Sequence, residues 1–87
     1  MQLFVVVASS NPEKIATVIR AIGVTHLEFK KDCWLVAYEG TTRDLAIKLG
    51  IRPGTTGSGL VCSISTYSGR ASPEVWEWLK VHWPQNA

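Results

Sequence analysis

The stretch spanning residues 32–51, DCWLVAYEGTTRDLAIKLGI, constrains the fold more than any other part of the chain. Its apolar run, Cys33-Trp34-Leu35-Val36-Ala37-Tyr38, stops at Glu39-Gly40. A run of this length without polar alternation predicts a strand buried on both faces. Thr41 and Asp44 stand at capping-box spacing, and the helix they open carries Leu45, Ala46, Ile47 and Leu49 to a stop at Gly50. A buried strand, a tight turn and a helix folding back need further strands to complete a core.

The rest of the chain supplies them. Residues 3–8, LFVVVA, form another continuous β-branched and aromatic run, which predicts a central strand with both faces covered. Asn11 is placed to cap a first helix with Pro12 at its first position, while Ser10 and Glu13 offer an alternative capping box. Ile15, Val18, Ile19 and Ile22 recur at helical spacing, and Gly23 ends the helix. Residues 25–29 alternate polar His26 and Glu28 with Leu27 and Phe29, the pattern of an edge strand. Lys30-Lys31-Asp32 turns the chain back. Residues 52–59, RPGTTGSG, read as a flexible connection. A strand over residues 60–66 follows, and a third helix starts at Ser72-Pro73-Glu74 and ends before Pro84.

The order strand, helix, strand, strand, helix, strand predicts a single α+β domain over residues 1–87. The expected fold is a ferredoxin-like βαββαβ sheet of four antiparallel strands with an extra C-terminal helix. Its first two helices share one face. Residues 3–8 and 60–66 should be neighbours, both central or near central in the sheet. Val5, Val7, Ile15, Ile19, Leu35, Leu45 and Leu49 should be buried.

Eighty-seven residues bury a modest fraction of their surface, and dimerisation is a common remedy. The net charge of +2 permits contact with nucleic acid without arguing for it, and Lys30-Lys31 is the only adjacent basic pair. Cys33 and Cys62 lie inside apolar runs and read as buried structural thiols, with neither a CxxC pairing nor His at metal spacing. No metal or cofactor is expected. The N-terminus lacks the basic region and the length of a signal peptide, and no run approaches a membrane span, so the cytoplasm is the expected compartment.

From DCWLVAYEG and TTRDLAIKLGI through GLVCSISTYSGRA, the chain resembles the small SinR-like proteins, which are related to the CRISPR-associated protein two family and to VapD-type toxins. The resemblance covers residues 3–71 as a pattern of apolar runs. It implies a ferredoxin-like dimer and association with nucleic acid, and no settled activity. The chain departs from that pattern at Ala8-Ser9-Ser10, where relatives carry Asp at the end of the first strand. The third helix also replaces a short strand that relatives exchange between subunits.

Candidate interaction residues are Trp76, Trp78 and Trp83 on the third helix, with Tyr67 and Arg70 before it. The Trp residues could stack on bases, seal the core, or form a dimer seam. Arg70 has a structural partner available in Glu74, four residues on. The RPGTTGSG loop could cradle phosphate with its backbone N–H groups, but it lacks P-loop spacing and leads into a strand. His26 and His82 read as ordinary surface or packing residues. The expected function is that of a small non-enzymatic interaction or regulatory protein acting as a homodimer. A nucleic-acid-associated protein of the CRISPR-associated protein two type is the alternative, and a weak phosphate-ligand or RNase-like enzyme a further one.

Metal-dependent nuclease activity is not expected, because magnesium-assisted chemistry requires anionic oxygen ligands where this chain carries Ala8, Ser9 and Ser10. Glu13 and Asp44 have capping roles, and Glu39 flanks the start of the second helix. Incubation with RNA or DNA and magnesium or manganese should leave both intact. Cleavage lost on chelation and in Glu13→Gln or Glu39→Gln would overturn this expectation.

Overall fold

Alternation along the first strand decides how the layers stack. The computed structural model describes residues 2–65 and 73–82. The elements run β1 (Gln2–Ala8), α1 (Pro12–Ala21), β2 (Thr25–Lys30), β3 (Cys33–Tyr38), α2 (Thr42–Lys48), β4 (Gly59–Ser63) and α3 (Pro73–His82). The four strands form one sheet in the order β2-β3-β1-β4, and every neighbouring pair is antiparallel. No described helix is long and apolar enough to cross a membrane.

Because successive strand residues point to opposite faces, β1 contributes to two cores. Phe4, Val6 and Ala8 pack with Trp34 and Val36 of β3, Ile15 and Ile19 of α1, and Leu45 and Leu49 of α2. Both helices therefore lie on one face of the sheet. Leu3 packs with Leu35 and Ala37 of β3 and Leu79 of α3 on the other face, with Val5, Leu27, Val75, Trp76 and Trp78 partly buried against them. The result is a layer of two helices, a sheet, and a layer containing α3. Trp34, 1% exposed, is the largest side chain in the first core. Full burial of a large apolar side chain contributes about 1.5–3 kcal/mol.

Local chemistry sets the helix ends. At α2 the Asp44 backbone N–H donates to Thr41 Oγ1 at 3.0 Å, and the Thr41 N–H donates to Asp44 Oδ2 at 3.5 Å, so the expected capping box forms. The start of α1 departs from expectation. Asn11 holds the cap position in a left-handed conformation, φ 49° and ψ 53°, without a side-chain cap bond. Asn tolerates that conformation better than most residues. Ser10 is engaged with Ser58 instead of Glu13.

Burial corrects the expectation at four residues, Val5, Val7, Cys33 and Cys62. Ile15, Ile19, Leu35, Leu45 and Leu49 are buried, but Val5 is only half-buried and Val7 is 38% exposed. α3 packs beside Leu3 and Leu35 and leaves the Val7 end of that face open. Cys62 is exposed and Cys33 half-buried, because β4 is an outer strand and Cys33 sits at the start of β3. β4 closes at Ser63, short of the expected Ile64 and Ser65, and residue 66 lies outside the described residues; the Ile64 N–H still donates to the Leu3 carbonyl at 2.9 Å. β1 and β4 are adjacent as expected and β1 lies inside the sheet, but β4 is an edge strand instead of lying near the centre.

Ile19→Ala should cost about 2–5 kcal/mol, the range for emptying a packed core site. Ile47→Ala, at a side chain 49% exposed, should cost far less. Chemical denaturation monitored by Trp fluorescence would check both, and equal losses would place the core elsewhere.

Candidate interaction surface

The register of the sheet orders the α3-side face into rows. Ala37, Leu3 and Ile64 make the first row across β3, β1 and the end of β4. Leu35, Val5 and Cys62 make the second. Cys33, Val7 and Leu60 make the third. Leu79, Val75, Trp76 and Trp78 of α3 pack against residues of the first two rows. The third row lies open, with Leu60 65% exposed beside Val7. An apolar row at the margin of a sheet face is a surface suited to a partner.

The expected interaction residues divide between the core and segments outside the described residues. Trp76 and Trp78 are half-buried against the second core. The Trp78 ring lies 4.4 Å from that of His82, and His82 Nδ1 is 2.9 Å from the Trp78 carbonyl. This side of α3 is packing surface, whereas Val81 is exposed. Tyr67, Arg70 and Trp83 lie outside the described residues, as does the Arg70–Glu74 pairing. His26 Nδ1 is 2.9 Å from the Val24 carbonyl, on the opposite edge of the sheet from β4. The two His are thus separate, each with a local backbone partner.

The end of β1 is closed by hydroxyls. The Ser58 N–H donates to Ser10 Oγ at 2.9 Å, and the two Ser Oγ atoms are 3.0 Å apart. Ser9 and Ser10 N–H groups both donate to the Ser58 carbonyl, at 2.8 and 3.2 Å. The loop read as a flexible connection is therefore tied to the turn before α1. A Cβ at Gly57 would stand 2.8 Å from the Ser10 carbonyl oxygen, so the approach requires glycine. Among the described residues, no group of three or more His, Cys, Asp or Glu is placed to hold a metal ion.

The open row was not singled out by sequence. Its available signal was the strand GLVCS, which carries no charged residue although it lies at an edge. Cys33 and Cys62 both point to the row side but have β1 between them and a two-residue offset along it. With strands about 4.8 Å apart, their separation exceeds the span of a disulfide.

Burial, with the Asp32 charge adding to it, raises the Cys33 thiol above its ordinary pKa. Less of it is thiolate at neutral pH, and thiolate is the reactive form. In dilute protein a thiol reagent should modify exposed Cys62 first and Cys33 slowly. Asp32→Asn should accelerate only the slow phase, which stopped-flow labelling would read.

Compared with known proteins, the chain matches no family model, no curated protein and no solved structure.

Proposed function

We propose that this protein is a small non-enzymatic interaction or regulatory protein that acts as a homodimer in the cytoplasm. The observation that carries the reading is the open apolar row Cys33–Val7–Leu60 beside two rows packed with α3. A chain of this size gains stability by covering such a row with a second subunit. The proposal includes a ferredoxin-like fold and kinship with the SinR-like proteins. The element order and the strand order β2-β3-β1-β4 support the fold assignment. The apolar runs quoted above support the kinship.

Association with nucleic acid is the second reading, favoured by exposed Phe29 beside Lys30 and Lys31. An aromatic ring next to basic side chains can stack a base while the cations meet phosphate. Contacts of that kind release counterions and weaken with salt. Labelled single-stranded RNA or DNA should bind at low salt and dissociate at high salt, and Phe29→Ala with Lys30→Ala should abolish binding. Failure to bind at low salt would remove this reading.

Sedimentation equilibrium tests the homodimer directly. The wild type should sediment at twice the chain mass at micromolar concentration, and a monomer would sink the proposal. Trp78→Ala should lower the unfolding midpoint while the folded fraction stays dimeric, because Trp78 packs inside the subunit.

A further inference from the structure

The outer edge of β4, unpaired among the described residues, has a definite pattern. Ile64 N–H donates to the Leu3 carbonyl, and Ser9 N–H donates to the Ser58 carbonyl. Both contacts belong to the β1–β4 register that pairs Val5 with Cys62 and Val7 with Leu60. Antiparallel ladders alternate, so residues 58, 60, 62 and 64 turn their backbone groups toward β1. Gly59, Val61 and Ser63 turn their N–H and C=O groups outward, on the side where the sheet has no further strand among the described residues.

The two edges of the sheet are treated differently. β2 carries His26, Glu28 and Lys30 and is broken by an irregularity between Glu28 and Lys30. Charges and bulges of this kind discourage pairing with another chain. β4, Gly59-Leu60-Val61-Cys62-Ser63, has no charge and no proline.

We propose that the β4 edge pairs antiparallel with β4 of a second copy of this chain, joining two sheets across a two-fold axis at Val61. This proposal rests on the homodimer reading and names its surface. An uncharged strand that pairs with itself meets no like charge at the axis, and a two-fold contact closes at two subunits. Centring on Val61 pairs all of β4: Val61 faces its own copy, Gly59 faces Ser63, and Leu60 faces Cys62. The outward groups of Gly59, Val61 and Ser63 then form the hydrogen-bonded pairs. Leu60 and Cys62 become a non-hydrogen-bonded pair, in which side chains stand closest. The same register carries the open row of each subunit, Cys33–Val7–Leu60, into the second row of the other, Cys62–Val5–Leu35.

Cross-linking in a Cys33→Ala background tests the register. Diamide accepts two electrons and two protons from a pair of thiols as their disulfide forms. Leu60→Cys should give a disulfide-linked dimer on a non-reducing gel, and removing Cys62 by Cys62→Ser should abolish it. Val61→Pro removes an outward N–H without touching the β1–β4 bonds, a position where an edge strand tolerates proline. Its mass should fall to that of the monomer with an unchanged circular dichroism spectrum. A wild-type dimer in which Leu60→Cys does not cross-link to Cys62 would overturn the β4 surface and leave the homodimer standing. A dimer that persists in folded Val61→Pro would do the same. A wild-type monomer would overturn both. Should Val61→Pro fail to fold, the cross-linking result decides alone.

Discussion

Everything in this structure depends on β1 serving two cores at once, one on each face of the sheet. Its even residues, Phe4, Val6 and Ala8, complete the core beneath α1 and α2. Leu3 and Val5 complete the core beneath α3. A one-residue slip against β3 would exchange the two sets and put both cores out of register. That slip is resisted from both sides, since β1 is hydrogen-bonded to β3 and to β4. No polar or charged side chain among the described residues is buried, so burial and the backbone ladder hold the centre together without side-chain ion pairs. This suits a small chain, because a buried charge costs more to desolvate than a short core can readily offset.

The connection from α2 to β4 shows how a long-range contact can use residues that look merely loop-like. Gly50 adopts φ 77°, and a Cβ there would collide with Thr56 Oγ1. The Thr56 N–H donates back to the Gly50 carbonyl at 3.1 Å. Ser58 then bonds to Ser9 and Ser10, across 48 residues of sequence in the case of Ser10. The loop thereby delivers β4 beside the end of β1 in the register that both cores need.

Strands and helices were legible because their periodicity is local. The core positions Ile15 and Ile19 of α1 and Leu45 and Leu49 beneath α2 follow from spacing alone, and Thr41 with Asp44 announced the cap of α2. Val7 was misread because a continuous apolar run implies two covered faces, whereas coverage depends on how far α3 extends over the sheet. Cys62 was misread for a related reason: GLVCS looks interior, yet it occupies an edge. Asn11 and Ser10 have the residue types of a cap, but Ser58 competes for Ser10 from a distance that no capping pattern registers. The candidate surface was less legible than the fold. The Trp residues marked α3 as important, but only packing shows that Trp76 and Trp78 face inward to the second core.

The bare edge of β4 has a physical origin on its opposite side. A Cβ at Gly59 would collide with the Val7 carbonyl oxygen, a backbone atom that cannot swing away. Glycine at this position therefore follows from the close approach of β4 to β1. The same glycine leaves the outward N–H and C=O of residue 59 without a side chain to screen them. A charged residue could protect the edge there only by forcing the two strands apart. Protection would have to come from Val61 or Ser63, and Val61 is already committed to packing against the first core. The demands of joining β4 to β1 thus restrict the means of guarding its outer edge, whereas β2, whose pairing with β3 is irregular between Glu28 and Lys30, carries both charge and irregularity.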